Sequence, residues 1–214
     1  MSPESDPNAA LRWPLAVFAV STGIFVLLAS GLQRGPVGED ATTLQALELA
    51  RGGALTELMV AITTFGRGPV TAVIVLALGL FLVVRGHRKE AAFVVLANIG
   101  SAILSPAFKA WFQRPRPGSE LVASVTNPGG FSFPSGHALS AMVLYASVAI
   151  VAGRLGPPTL RRAMIAIAWV MIPLMGFTRA YLGVHYPSDV VAGWALGAAW
   201  VSLLYAGYVK ITDT

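Results

Sequence analysis

Six stretches of this chain stay apolar for long enough to cross a bilayer, and the polar positions gather in the short segments between them. The first runs from Pro14 to Leu32, and the others cover about 69–84, 91–108, 137–153, 163–178 and 188–208. A spanning helix needs roughly 20 predominantly apolar residues. Leu28-Ala29-Ser30 also gives the first run a second reading, as a signal peptide with a small-residue cleavage context. Its length, and the single Arg12 before it, favour the span.

The pattern changes between the first two spans. Residues 33–53 read as a polar connection carrying Glu39, Asp40 and Glu48. Leu55, Leu58, Met59, Ile62 and Phe65 then recur at helical spacing. That predicts an amphipathic helix over 54–65, of about three turns and too short to span. It is expected in the interface or partly re-entrant, a short seventh span being the other reading. Gly66-Arg67-Gly68-Pro69 breaks the chain after it. Residues 1–12 are polar and expected to be loose. The expected fold is all-α: a polytopic bundle of six transmembrane helices plus one short interfacial helix, in a single domain over 1–214.

Composition strengthens the membrane reading. Hydrophobic residues make up 55% of the chain and charged residues 12%, against about 25% charged in soluble domains. The net charge of +5 raises the question of nucleic acid. The cations are split among short loops, with no basic stripe and no nucleic-acid motif, so that partner is excluded. With no cysteine, disulfides, thiol nucleophiles and thiolate metal sites are excluded too.

Charge also orients the bundle. Arg85, Arg88 and Lys89 lie between spans two and three, and Arg154, Arg161 and Arg162 between spans four and five. Arg12 precedes span one and Lys210 follows span six. The positive-inside tendency makes these regions, and both termini, cytoplasmic. The outer loops hold Arg34, Arg51, Arg67 and Arg114 as well, offset by Glu39, Asp40, Glu48, Glu57 and Glu120. On span six, Gly193-x3-Gly197 reads either as a small-residue face that permits close helix packing or as ordinary lipid-facing glycine.

The candidate chemistry falls in three segments, all on the expected outer face. They are Lys109-x6-Arg116-Pro117, Pro134-Ser135-Gly136-His137 and Thr178-Arg179-x5-His185-x3-Asp189. Gly136 and His137 stand where an apolar helix begins, and a helix N-terminus presents free N–H groups to an anion. The Ser135 hydroxyl and the Ser135 and Gly136 amides are the expected donors there. Arg116 and Arg179 suit bidentate phosphate recognition, and Lys109 supplies a compact charge. A lone cation at a span end reads better as an interfacial anchor beside Trp111 and Phe112; three on one face beside two histidines reverse that. Asp189, in the first turn of span six, can orient one nitrogen of His185 and leave the other to attack phosphorus. The residues alone do not decide which histidine attacks. The motifs contain one carboxylate, fewer than a two-metal phosphatase needs, so no metal and no cofactor is expected. His87, in a cytoplasmic basic loop, is expected to be solvated.

These three segments, in this order, closely resemble the type 2 phosphatidic acid phosphatase family, which also includes vanadium haloperoxidases and some acid phosphatases. The one departure is Thr178 where serine is usual, and it keeps a hydroxyl. The six-span layout extends the resemblance to bacterial membrane members that act on phosphatidylglycerophosphate or undecaprenyl pyrophosphate. The resemblance implies that His185 is the nucleophile, Asp189 its partner and His137 the proton donor to the leaving oxygen. It implies that Lys109, Arg116, Ser135, Gly136 and Arg179 hold the phosphoryl oxygens. The expected function is hydrolysis of a membrane lipid phosphate or pyrophosphate at the outer face of a bacterial cytoplasmic membrane. The alternative is a non-catalytic lipid-phosphate binder or flippase with the same anion cage. Loop 118–133 and the 54–65 helix are expected to shape lipid access.

Overall fold

A computed structural model describes residues 9–32 and 36–212. It contains α1 (Ala9–Gly31), α2 (Asp40–Leu49), α3 (Gly53–Thr64), α4 (Gly68–Val84), α5 (Arg88–Phe112), α6 (Gly136–Leu155), α7 (Pro158–Tyr181) and α8 (Pro187–Thr212). Proline stands in the first turn of α4 and α7 and opens α8, where its missing N–H costs no helical bond and its fixed φ suits the helix.

Five of these helices are individually long and apolar enough to span. The pair α3 and α4, which meet at 50° across the glycine-containing break, reaches spanning length and apolarity only when the two are taken together. The amphipathic segment expected at 54–65 is α3, and its 50° bend against α4 is the geometry of a broken span or of a re-entrant pair. Residues 9–12 belong to α1, so the loose N-terminus expected over 1–12 is corrected there; residues 1–8, and Arg34, lie outside the described residues. Within the connection expected over 33–53, residues 40–49 are helical. The Asp40 carboxylate accepts the Val37 N–H at 2.9 Å ahead of the helix, and Leu44 is fully buried against Val122, Ala180 and Tyr186. Tertiary burial, more than apolar periodicity, holds this short helix.

α8 lies against α1, α5, α6 and α7, and α6 contacts α4, α5, α7 and α8. α3 packs on α7, and α2 bridges α7 and α8. The small-residue face on α8 is real. A Cβ on Gly193 would stand 2.6 Å from the Ser135 carbonyl oxygen, and one on Gly197 would stand 2.9 Å from the Met142 Cβ. Hydrogen in place of a side chain lets the α6 and α8 backbones approach. The approach joins two site-bearing segments directly, because the Ser135 N–H donates to the Asp189 carbonyl at 2.9 Å.

Candidate active site

The alternating bundle ends α5 and α7 where α6 and α8 begin, so the three motif segments converge at one end. α5 stops at Gln113, which takes a left-handed conformation (φ 48°) and turns the chain back over the site. Phe25 of α1 and Phe108 and Phe112 of α5 pack around Phe133, with Phe112 and Phe133 edge to face at 5.0 Å. This aromatic cluster seats the Pro134–His137 turn on the end of α5. Phe112 is thus part of the packing, whereas Trp111 stands 82% exposed, as an interfacial anchor would.

His185 and Asp189 are buried, with Nδ1 and Oδ2 3.4 Å apart. Arg116 Nη1 lies 3.2 Å from His185 Nε2. A guanidinium can only donate, so Nε2 accepts and the proton sits on Nδ1, facing the carboxylate. The lone pair therefore points toward Arg116. Burial pushes the His185 pKa down to about 4, opposed in part by Asp189, and the ring is neutral at pH 7.

Arg116 is anchored by the carbonyls of Val184 (2.6 Å), Gly129 and Gly130 (3.1 Å each). Lys109 Nζ donates to the carbonyls of Phe131 and Ser132. Arg179 Nη1 donates to Thr63 Oγ1 at 2.7 Å, so α3 positions this cation. Arg179 Nε and Ser135 Oγ are both buried and bond to no protein group. Buried polar groups left unpaired are uncommon and costly. Here they share a site where Lys109, Arg116 and Arg179 feel one another's charge. The structure corrects one expected donor: the Ser135 amide is occupied by Asp189, leaving the hydroxyl as that residue's free group.

His137 stands in the first turn of α6, and a Cβ on Gly66 would stand 2.8 Å from its Cδ2. The α3–α4 break therefore lies against the ring. Arg67, in that break, is close enough for its charge to act on both His137 and Arg179. From His137 and Gly136 a cavity of about 500 Å³ runs between α4, α5 and α6, past Ser105 and Ala102 to Val75 and Asn98. Its lining is mostly apolar. Residues 129–132 give their carbonyls to Arg116 and Lys109, and no residue of loop 118–133 lines this cavity. His87, at the start of α5, is half-buried.

Sequence reasoning missed a further set of residues. Arg114 is 5% exposed; it donates to Asp189 Oδ1, to Ser188 Oγ at 2.9 Å and to Asp40 Oδ2 at 2.9 Å, and it stacks 4.1 Å from the Tyr186 ring. Asp40 is only 2% exposed. The tertiary fold thus brings a second carboxylate to a site whose motifs contain one. The one sequence signal was the repeated Arg114-Pro115-Arg116-Pro117; Asp40, distant in the chain, carried none. Among the described residues, no group of three or more His, Asp or Glu side chains is arranged to hold a metal ion.

Bundle and cage together define a multi-pass membrane protein with a buried, cation-rich cluster at one end. The chain belongs to the PAP2 superfamily, whose family model matches residues 90–213. It is similar to phosphatidylglycerophosphatase B of Bacillus subtilis (strain 168), at 29% identity over 180 residues covering 81% of this chain and 85% of that protein. It is also similar to undecaprenyl-diphosphatase of Sulfolobus acidocaldarius, at 28% identity over 199 residues covering 90% and 88%. The crystal structure of a transmembrane PAP2 type phosphatidylglycerolphosphate phosphatase from Bacillus subtilis matches with a TM-score of 0.82 and 28% identity, over 93% of this chain and 97% of that one. The expected family and the all-α membrane fold both hold, and the membership places the chain among phosphoric ester hydrolases.

Proposed function

We propose that this protein hydrolyses a lipid phosphate or diphosphate through a phosphohistidine on His185, without a metal ion. The observation that carries the reading is the pair of buried, unpaired donors, Ser135 Oγ and Arg179 Nε. They stand in a cation-rich cage beside the His185 lone pair, where the apolar cavity begins. His185 Nε2 attacks phosphorus while Asp189 holds the Nδ1 proton and offsets the charge developing on the ring. Lys109, Arg116, Arg179, Ser135 and Gly136 hold the phosphoryl oxygens as charge shifts onto them. Protonated His137 passes its proton to the leaving lipid oxygen. It then takes a proton from the water that attacks the phosphohistidine, and inorganic phosphate leaves. The two carboxylates at the site are engaged by Arg114, which supports a metal-independent route.

The cavity between α4, α5 and α6 is the proposed berth for the lipid chain. The substrates named for the relatives, a phosphatidylglycerophosphate and an undecaprenyl diphosphate, are the two classes to test first. Purified protein in detergent would be assayed for phosphate release from both, from phosphatidic acid and from a soluble phosphate ester. At least one lipid is expected to exceed the soluble ester by roughly tenfold or more in kcat/KM, because chain burial supplies binding energy. Lipid binding or transbilayer movement with no phosphate release from any substrate would favour the binder or flippase reading instead. Reversible loss of activity on chelation would sink the metal-free mechanism.

The loop cations support a cage on the outer membrane face with both termini in the cytoplasm. A C-terminal reporter active only in the cytoplasm is expected to give signal; activity confined to a periplasm-dependent reporter would overturn that orientation.

A further inference from the structure

Asp189 does not face His185 alone. One carboxylate oxygen takes the Arg114 guanidinium, and the other takes the Tyr186 N–H at 2.9 Å and faces His185 Nδ1 at 3.4 Å. By itself a buried arginine would compete with the imidazole for the carboxylate's charge. Arg114, however, is shared with Asp40 through Nη2. Asp40 is tied down in turn: its Oδ1 accepts the Ser188 N–H at 2.8 Å, and its Oδ2 also accepts the Ser188 hydroxyl at 2.5 Å. Asp40, Arg114, Ser188 and Asp189 thus close a ring in which each member is at most 7% exposed. The ring spans three parts of the chain: α2, the segment after α5, and the first turn of α8.

We propose that Asp40 and Arg114 are positioning residues for Asp189, Arg114 holding the carboxylate in place and Asp40 neutralising Arg114 so that the charge of Asp189 remains for His185. This rests on the phosphohistidine reading, in which the ring of His185 becomes cationic when Nε2 bonds to phosphorus. Two carboxylates and one guanidinium leave one negative charge beside that ring. Without Asp40, Arg114 and Asp189 would cancel. The other charged or titratable groups facing His185 are Lys109 of α5, Arg116 of the following loop and His137 of α6. None of them adds negative charge, so Asp189 is the group whose charge must be preserved.

The test compares Asp40→Asn, Arg114→Gln and the double variant with the wild type. Asp40→Asn preserves shape and removes charge. It is expected to lower kcat about 10- to 100-fold while KM and the inhibition constant of inorganic phosphate stay within about threefold, because the cage is untouched. The double variant restores one net negative charge and is expected to turn over faster than Asp40→Asn, a result that a merely structural role would not produce. In labelled-histidine NMR, which needs no turnover, the His185 pKa is expected to fall in Asp40→Asn, since removing a nearby negative charge disfavours imidazolium. That arm reads the charge role even if the phosphatase reading fails. A folded Asp40→Asn with wild-type kcat and an unmoved His185 pKa overturns the proposal. Single losses that multiply in the double variant, with phosphate affinity lost in parallel, also overturn it. Should Asp40→Asn not fold, Arg114→Lys keeps the charge and loses the two-sided fork. A drop in kcat at unchanged phosphate inhibition then supports the positioning role, and wild-type kcat rejects it.

Discussion

His185→Ala is expected to reduce lipid phosphate release by about 10³-fold or more, because it removes the nitrogen proposed to form the covalent intermediate. His137→Ala should behave differently, and the difference is the sharper result. Its first duty in the proposed mechanism is to protonate a poor leaving group, the lipid oxygen, a contribution worth about 10²- to 10⁴-fold. A nitrophenyl ester leaves without that proton. In the first turnover, nitrophenolate release by His137→Ala is therefore expected to fall far less than lipid release. Later turnovers slow down, because the same residue activates water. Radiolabelled phosphate should accumulate on His137→Ala with the activated ester and be absent from His185→Ala. Equal losses for both substrates in the first turnover, or label retained on His185→Ala, would exchange or remove the assigned roles. Both variants should still fold: the Tyr186 backbone N–H and the Arg114 guanidinium continue to hold Asp189, and Arg116 keeps its three carbonyl partners.

Gly193→Val is expected to lower thermal stability in detergent and to cost more than about tenfold in activity, though residue 193 touches no substrate. Its Cβ would stand 2.6 Å from the Ser135 carbonyl oxygen, 3.0 Å from the Ala138 Cβ and 3.2 Å from the Leu139 nitrogen. Two of these atoms are backbone in the first turn of α6, so no side chain can swing away. Overpacking of this kind costs roughly 1–3 kcal/mol, and more where backbone must move. The displacement acts on the contact between the Ser135 N–H and the Asp189 carbonyl, which couples the Pro134–His137 turn to the histidine's partner. Gly207→Ala is the matched control. It meets nothing within 4 Å, and in a helix the change is expected to be neutral or stabilising by up to about 1 kcal/mol. Equal melting temperatures for Gly193→Val and wild type would show that α6 and α8 do not need this approach.

The spans were legible because membrane helices advertise themselves by unbroken apolar runs. The helix starts at Gly136 and Pro187 were legible from proline and glycine placement. The bend between α3 and α4 was foreseeable in Gly66-Arg67-Gly68-Pro69, where two glycines and a proline interrupt a helical pattern. α2 was not: its burial of Leu44 and Asp40 depends on surfaces supplied by α7, α8 and loop 118–133, which no local window contains. Arg114 was visible only as one of several outer-loop cations, with no role at the site, since a charged residue beside a span end usually faces the interface.

By itself the sequence determined the all-helical membrane architecture, the inventory of phosphate-type groups and the pairing of His185 with Asp189. Each of those depends on residues within a few turns of one another, or on composition. Only the tertiary structure decided that Ser135 spends its amide on Asp189 and keeps its hydroxyl free. The same holds for α3 steadying Arg179 through Thr63, and for Asp40 reaching the site across 74 residues of chain to Arg114. Those features arise from long-range burial: a charge or a donor withdrawn from water must find a partner, and which partner it finds depends on how the helices pack.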